Sequence, residues 1–243
     1  MKRKRNTVDI IKDVNSLHIL DFRKTHLPIE FTAPDSEQPS GQTPRVQLLV
    51  PPIVQGTCDD GETLSEPELD ACVALVKETS GEDYSNSSLG WHQQRKRTEM
   101  NDKDMKFLVV RSQAPAPSTD DTPHGGDPFG GFASFMLTHE DGLPVIYIYE
   151  IHLQQHARGS GTGKMLMSLM EHIGLSVGVE KSMLTVFRRN DMAVKWYERL
   201  GYMVDKYSPQ DKELRGGKVK QSDYLIMSKR LDEKLVKKDN MKS

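Results

Sequence analysis

The sequence contains little cysteine and no long apolar run. Its two cysteines, Cys58 and Cys72, form no Cys-x-x-Cys pair and are accompanied by no paired histidines. This count excludes a disulfide framework and argues against a structural zinc site. No apolar stretch approaches the ~20 residues of a membrane-spanning helix, and no signal-peptide core follows the basic N-terminus. We therefore expect an intracellular protein, in the nucleus and the cytoplasm, that has no membrane partner.

A formal net charge of −2 over 243 residues gives no overall signal for direct nucleic-acid binding, but the charge is unevenly placed. Basic residues cluster at Lys2–Arg5 and again between Lys234 and Lys242. Such ends are typical of solvated tails, and a nuclear localisation signal is the alternative interpretation. We expect one domain over residues 61–230, preceded by a segment (1–60) with a basic tail, a helix and a flexible stretch, and followed by a basic tail over 231–243.

Apolar periodicity predicts alternating helices and strands. The helices are expected at Thr7–Leu17, after Ser65, at Trp91–Met100, Gly163–Val177 and Asn190–Leu200. The strands are expected at Val46–Val50, Lys106–Arg111, Phe132–His139, Val145–Leu153, Ser182–Phe187, Tyr202–Tyr207 and Tyr224–Arg230. Pro- and Gly-rich stretches at 31–44 and 113–131 predict flexible segments. The fold class is therefore α/β, with a mixed, mostly antiparallel central sheet of about seven strands flanked by helices on both faces, plus an N-terminal helix.

The clearest helix start is a capping box, in which Ser65 is the N-cap and Glu68 follows three residues later. We expect this helix to end at Gly81 and to bury a stripe made of Ala71, Cys72, Leu75 and Val76.

The most informative stretch is a glycine-rich loop between a strand and an amphipathic helix, Arg158-Gly-Ser-Gly-Thr-Gly-Lys164. Glycines let backbone N–H groups approach an anion, and a helix N-terminus adds partial positive charge. A Walker loop would need glycine at position 158 and Ser or Thr at 165, and the dinucleotide fingerprint would need glycine at 164 or 166. The chain has none of these. The pattern that fits is Arg-x-x-Gly-x-Gly, formed by Arg158, Gly161 and Gly163.

This loop resembles the acyl-CoA pyrophosphate loop of the GNAT superfamily of N-acetyltransferases. A second stretch, with Phe187, Asn190 and Ala193 followed by Trp196–Tyr202, resembles the second signature of the same superfamily. The resemblance implies acetyl-CoA as cosubstrate, with Asn190 on its pantetheine arm and Tyr197 protonating the departing thiolate; aromatic packing is the alternative role for Tyr197. The implied cofactor-binding residues are Ile151, His152, Leu153, Arg158, Gly159, Ser160, Gly161, Thr162, Gly163, Lys164, Asn190 and Ala193.

Further motifs resemble one subfamily, the NatD-type N-α-acetyltransferases of histones two-A and four. These motifs are Gly90-Trp91, Thr98–Met100, Tyr147–Glu150, Met183–Phe187 and Ser222–Arg230. The resemblance implies that the N-terminal helix packs on the domain and that the substrate begins Ser-Gly-Arg-Gly. It also implies histone N-terminal tails as partners and a monomer without an obligate auxiliary subunit. The implied substrate-binding residues are Trp91, Thr138, Glu140, Tyr147, Tyr149, Glu150 and Tyr224.

Transfer to an α-amine needs a proton acceptor, because a free α-amino group (pKa about 7.7–8.0) is mostly protonated at neutral pH. Glu150 is the first candidate, with Tyr149 beside it as a second catalytic residue; a structural ion pair is the alternative role for Glu150. Strand alternation places Tyr147 and Tyr149 on one face and Glu150 on the other, unless a bulge reorients the strand. If the tyrosines are not site residues, they are ordinary strand aromatics.

An arginine at the third substrate position calls for carboxylates. The family's acidic residue falls on Thr138 here, so either Glu140 and Asp141 replace it or arginine is selected less strictly. His152 and His156 are four residues apart on strand and loop, where they share no helix face, and we expect no metal. Two other functions stay open: acetylation of lysine or small-molecule amines, and a non-catalytic module that binds acyl-CoA or histone.

Overall fold

The computed structural model describes residues 9–28, 45–54, 61–111, 129–213 and 219–231. Its helices are α1 (Ile10–Asn15), α2 (Ile19–His26), α3 (Glu66–Ser85), α4 (Gln93–Met100), α5 (Thr162–Val177) and α6 (Asp191–Arg199). Single 3-10 turns lie at Pro52–Val54 and Gln155–Ala157. The strands are β1 (Arg45–Leu49), β2 (Lys106–Arg111), β3 (Phe129–Glu140), β4 (Leu143–Leu153), β5 (Lys181–Phe187), β6 (Met203–Val204), β7 (Lys212–Glu213), β8 (Val219–Lys220) and β9 (Tyr224–Arg230).

Seven of these strands form one mixed sheet in the order β1-β2-β3-β4-β5-β9-β6, which confirms the predicted α/β architecture. Strands β4 and β5 pair in parallel and the other neighbours pair antiparallel. A parallel pair needs a crossover, and α5 supplies it between β4 and β5. The β4–β5 ladder ends at the pair Ile148–Leu184, and the cavity described below opens beyond that point.

The sheet separates two apolar clusters. On one face α1, α2, α5 and α6 cover a core that includes Phe22, Phe135 and Leu166. On the other face α3 packs on a smaller cluster that includes Cys72 and Phe107. The N-terminal helices therefore lie against the domain, as the family resemblance implied. None of the helices in the described ranges is long and apolar enough to cross a membrane.

Local signals in the sequence were reliable where hydrogen bonding is local. Ser65 caps α3, and both bonds of the capping box with Glu68 are present. Asp141 and Gly142, an Asp-Gly pair typical of tight turns, form the hairpin turn between β3 and β4 with φ angles of 50° and 77°. Two consecutive positive φ angles are what a two-residue hairpin turn requires.

Other boundaries were wrong for tertiary reasons. Helix α3 continues past Gly81 to Ser85, since Tyr84 is held by ring contacts to Trp91 and Phe187, and Ala71 in its predicted buried stripe is exposed. The helix predicted at Thr7–Leu17 is shorter, Ile10–Asn15, and leaves Leu17 41% exposed. A second helix that was not predicted, Ile19–His26, follows it, with His18 as its N-cap accepting from the N–H of Leu20.

Two strand predictions also need correction. Strand β3 begins at Phe129, so the last three residues of the predicted loop 113–131 pair with β2 and β4. Strand β6 spans two residues instead of Tyr202–Tyr207, because the chain turns away after Asp205. Asp205 still donates its N–H to the carbonyl of Ile226, while its side chain accepts from the N–H of Tyr207 and pairs with Lys181. The predicted flexible segment 31–44, residues 113–128 and both basic tails lie outside the described residues.

Candidate active site

A β-bulge in β4 shapes the centre of the site. Ser134 of β3 pairs with Glu150, whereas the next residue, Phe135, pairs with Ile148. Tyr149 is therefore the extra residue of β4, with no partner on β3 in this ladder. The bulge cancels the alternation there: Tyr149 packs with the α3-side cluster, and Glu150 hydrogen-bonds to side chains of α3 and α4. The conflict that strict alternation raised between these two residues is thus removed.

Glu150 is the hub of a buried polar network. Its Oε1 accepts hydrogen bonds from Lys96 Nζ at 2.8 Å and from the Tyr84 hydroxyl at 3.2 Å. Its Oε2 lies 2.6 Å from His152 Nε2. An ionised carboxylate has about four lone-pair positions, so these three partners leave one position on Oε2 for a further donor. The carboxylate is 7% exposed and lines the main cavity.

The network fixes the charge of this carboxylate. Burial alone would raise the pKa of Glu150, but the hydrogen bond from His152 and the charge of Lys96 outweigh it and lower the pKa from 4.5 to about 2. Burial would lower the pKa of Lys96, yet the nearby Glu150 raises it. Glu150 and Lys96 are therefore an ion pair at neutral pH, which is the alternative role considered for Glu150. The Glu150 side chain is therefore both a hydrogen-bond acceptor on the cavity wall and one partner of a buried ion pair.

The cavity has a volume of about 790 Å³ and gathers most of the predicted site residues. Its lining includes Trp91, Glu140, Tyr147, Tyr149, Glu150, Ile151, His152, Leu153, Arg158, Asn190, Ala193 and Tyr197. Thr138, Tyr224 and residues 159–164, all described, are not part of that lining. Tyr224 pairs with Phe187 at the cavity edge, and Thr138 pairs with Val145 further along the hairpin. In the described part of the chain, no group of three or more His, Cys, Asp or Glu residues could hold a metal ion.

The glycine loop connects Arg158, which lines the cavity, to the start of α5. Gly159 and Gly161 have φ angles of 77° and 86°, and Gly161 is the N-cap of α5 without a capping side chain. A Cβ added at either glycine would meet nothing within 4 Å, so both face open space. Arg158 Nε donates to the carbonyl of Leu153 at 2.8 Å, which joins the loop to the end of β4. An uncovered helix N-terminus beside an exposed arginine fits a pyrophosphate.

The remaining loop residues are held by hydrogen bonds within the loop and by packing against α6. The Ser160 hydroxyl donates to the carbonyl of Ala157 at 3.0 Å and lies 2.7 Å from the hydroxyl of Thr162, which is buried. A Cβ at Gly163 would lie 3.3 Å from the Trp196 ring, so close packing of α6 on α5 explains that glycine. The exposed Lys164 follows in the first turn of α5.

Two residues of the second signature also line the cavity. Asn190 caps α6, since its Oδ1 accepts from the N–H of Ala193 at 3.1 Å, and its Nδ2 donates to Asp83 at 3.3 Å. Tyr197 is buried, and burial together with the charge of Glu150 raises the pKa of its hydroxyl. Tyr197 therefore remains a proton donor at neutral pH. Its ring contacts Trp196, so it also has the packing role considered as the alternative.

Aromatic and acidic side chains lie together on one part of the cavity wall. The rings of Tyr147 and Tyr149 lie 5.2 Å apart, and the Tyr147 hydroxyl lies 2.6 Å from that of Thr185. Burial raises the pKa of Tyr149, and the charges of Glu99 and Glu140 raise it further. This part of the wall thus carries two carboxylates and is suited to a cationic group.

Sequence analysis missed most partners of Glu150. Tyr84 comes from α3, and Lys96 comes from α4, where it sits in a run of charged residues; Thr79 of α3, also missed, contacts His152. The available signal was weak: Lys96 and Met100 are four residues apart on an otherwise polar helix, the spacing of one buried face.

Comparison with known proteins agrees with this geometry. Residues 84–202 match the model of the acetyltransferase (GNAT) family. N-alpha-acetyltransferase 40 of Saccharomyces cerevisiae is 33% identical over 163 residues, which is 58% of this chain and 53% of that protein. The chain thus aligns with about half the length of this curated relative. The structure of Arabidopsis thaliana NAA60 in complex with acetyl-CoA has a TM-score of 0.50 and 12% identity, covering 78% of this chain and 99% of that one, which shows the fold alone.

Fold, glycine loop and bulged strand define the class: the chain has the GNAT fold, and residues 84–202, about half of its length, match the GNAT acetyltransferase family. Within the family, the sequence relative is an N-α-acetyltransferase.

Proposed function

We propose that the protein is an N-α-acetyltransferase that moves acetyl from acetyl-CoA to the free α-amine of proteins beginning Ser-Gly-Arg-Gly, the N-terminal tails of histones two-A and four. The observation that carries the proposal is the β4 bulge, which brings Tyr149 and Glu150 to one cavity wall beside the Tyr147 ring and two further carboxylates, Glu99 and Glu140. The yeast relative's activity class and the NatD-type motifs support the same assignment.

The cavity walls suggest how each substrate lies. The pyrophosphate of acetyl-CoA binds the start of α5, where Gly159 and Gly161 leave the helix end uncovered. The thioester then follows β4 beyond the point where β5 diverges, close to the Tyr149 bulge. The peptide lies against the wall formed by Tyr147 and Tyr149, with its α-amine toward Glu150 and its third-residue guanidinium near Glu99 and Glu140.

The overall reaction removes two protons from the α-ammonium group, returns one to sulfur and releases one to solvent. Glu150 takes the first proton at the remaining position of Oε2, directly or through one water, passes it to solvent, and takes the second proton as the amide forms. As the N–C bond forms and the C–S bond breaks, the backbone N–H groups released by the bulge polarise the thioester carbonyl. Tyr197, which keeps its proton, donates to the departing thiolate.

Substrate choice can be tested with labelled acetyl-CoA and a panel of peptides. We expect transfer to Ser-Gly-Arg-Gly-Lys, loss of transfer when its α-amine is chemically blocked, and weaker transfer when its serine or arginine is replaced. Equal transfer to unrelated N-termini would refute histone selectivity, and transfer only to lysine or small amines would refute α-amine chemistry. Tight acyl-CoA binding without any transfer would identify a binding module.

We also propose that the protein acts as a monomer in the nucleus and the cytoplasm, where histone tails are reached without an auxiliary subunit. Light scattering of the purified chain and imaging of a tagged chain test the two parts separately.

A further inference from the structure

His152 is held by hydrogen bonds at both ring nitrogens. Nε2 lies 2.6 Å from Glu150 Oε2, and Nδ1 lies 2.6 Å from the hydroxyl oxygen of Thr79 on α3. The ring is 9% exposed, packs 5.8 Å from the Phe132 ring, and borders the cavity. Its orientation is therefore fixed, and only its protons can change.

A proton count shows that two charge states fit the same heavy-atom positions. The Thr79 hydroxyl has one hydrogen and lies 2.8 Å from the carbonyl of Leu75, one turn earlier in α3. When it donates to that carbonyl, His152 Nδ1 must donate to Thr79, and the imidazole carries both protons. When the hydroxyl hydrogen rotates toward Nδ1, the imidazole is neutral with its proton on Nε2. The hydrogen bond to Glu150 survives in both states, and the helix bonds the Leu75 carbonyl in either case.

We propose that His152 is a positioning residue that sets the basicity of Glu150, with the Thr79 hydroxyl as the rotor that accommodates both charge states. With the imidazole doubly protonated, Glu150 faces two cations, His152 and Lys96, and cannot accept the amine proton. When the imidazole is neutral, Glu150 faces only the Lys96 cation and can accept the amine proton. This inference rests on the proposed acetyl transfer to an amine.

The other charged and titratable groups around the Glu150 carboxylate keep their charge in both states. From α3 the Tyr84 hydroxyl donates to Glu150, and burial raises the pKa of Tyr84 so that it stays neutral. From α4, Lys96 stays charged because Glu150 raises its pKa, while Glu99 pairs with Lys96 at 2.6 Å. From α6, Tyr197 keeps its proton. His152 is thus the neighbour whose charge changes between these two states.

The test is the acid limb of the pH profile of kcat/KM, which reports ionisations of the free enzyme and free substrate. For transfer to Ser-Gly-Arg-Gly-Lys, we expect log kcat/KM of the wild type to fall toward low pH with a limiting slope of about two. One unit of slope reports the proton on the amine and the other the proton on His152. In His152→Gln the carboxamide cannot titrate, so the slope should be about one and the acidic-side rate should exceed that of the wild type.

A second variant covers the case in which His152→Gln does not fold. Thr79→Val places a methyl group against Nδ1, which disfavours a proton there and should move the limb to lower pH. Thr98 makes the same hydroxyl-to-carbonyl bond on α4, at 2.9 Å, without a histidine. Thr98→Val is therefore the matched control and should keep the wild-type profile. Thermal melts verify that each variant is folded.

The outcomes separate the two proposals. Superimposable acid limbs for the wild type, His152→Gln and Thr79→Val would overturn the role of His152 and leave the proposed function intact. If the wild type acetylates no amine, the proposed function fails and the role of His152 fails with it. If His152→Gln does not fold, a Thr79→Val limb equal to that of Thr98→Val overturns the proposal, and a shifted limb supports it.

Discussion

Lys96 Nζ lies 2.8 Å from Glu150 Oε1, and the side chains are 8% and 7% exposed. This ion pair joins α4 to the bulged segment of β4, so one contact both orients the candidate base and ties a surface helix to the sheet. A buried pair contributes little net stability relative to an apolar pair, but removing one partner leaves an uncompensated charge.

Lys96→Met should therefore destabilise the fold strongly. Breaking one side of a buried ion pair typically costs about 3–5 kcal/mol in the free energy of unfolding. The double variant Lys96→Met with Glu150→Gln should recover much of that loss, because it leaves no unpaired charge. Denaturant unfolding measures both. Arg95→Met, at an exposed neighbour on the same helix, is the control and should change stability by less than about 0.5 kcal/mol. A Lys96→Met variant as stable as Arg95→Met would contradict the geometry.

Gly131 should tolerate no side chain. It has a φ of 137°, and an added Cβ would overlap the carbonyl oxygen of His152 and lie 2.7 Å from Leu153 Cα. Gly142 also has a positive φ, 77°, but a Cβ there meets nothing within 4 Å. Gly142→Ala should cost roughly 1–2 kcal/mol of unfolding free energy from backbone strain alone. Gly131→Ala should cost clearly more and should lower activity, since it displaces the strand that carries His152. Equal losses of unfolding free energy in Gly131→Ala and Gly142→Ala would show that the neighbouring strand moves at little cost to remove the overlap.

Stability above pH 8 should depend on Lys106, which is 6% exposed beneath the N-terminal helices. Its Nζ lies 3.1 Å from Asn15 Oδ1 and 5.1 Å from the centre of the Phe22 ring. Burial lowers its pKa from 10.5 to about 8, outweighing the opposite effect of Asp104. Between those pH values the unfolded chain binds more protons, so the folded state gains stability as pH rises.

The comparison with Lys106→Met isolates this effect. Between pH 8 and 10.5 the wild type should gain roughly 3 kcal/mol of unfolding free energy relative to the variant. Chemical denaturation at several pH values measures the difference. A difference in unfolding free energy between the wild type and Lys106→Met that stays constant across this range would mean that burial does not lower the pKa of Lys106.

Selection of arginine at the third substrate position should depend on Glu140, which is on the cavity wall. Glu140→Gln should raise KM for Ser-Gly-Arg-Gly-Lys by roughly ten-fold, the effect of losing one charge-assisted contact, and barely affect Ser-Gly-Ala-Gly-Lys. The neighbouring Asp141 is exposed in the hairpin turn, and Asp141→Asn should leave both KM values unchanged. If Asp141→Asn has the effect instead, the peptide approaches from the other side of the turn.

The sequence was most informative where chemistry and local backbone coincide. The role of Gly161 at the start of α5 is predictable, because a helix N-terminus that binds an anion must be free of a covering side chain. The role of Ser65 as an N-cap is predictable, because capping is a contact between residues only three positions apart. The Tyr149 bulge entered the sequence analysis only as the exception that would bring the tyrosines and Glu150 together, since alternation predicts the opposite. The pairing of Lys96 with Glu150 spans 54 residues and depends on how α4 docks on the sheet. No local pattern encodes such a contact.

The most direct measurement is the position of the acetyl group on Ser-Gly-Arg-Gly-Lys after one enzymatic turnover, located by fragment-ion mass spectrometry. This peptide carries an α-amine and a lysine ε-amine in one molecule, so the enzyme must choose between them under identical conditions. We predict acetyl on the α-amine, and a much slower reaction with the same position in Glu150→Gln. Acetyl on the lysine side chain of the wild-type product would contradict the proposed α-amine chemistry.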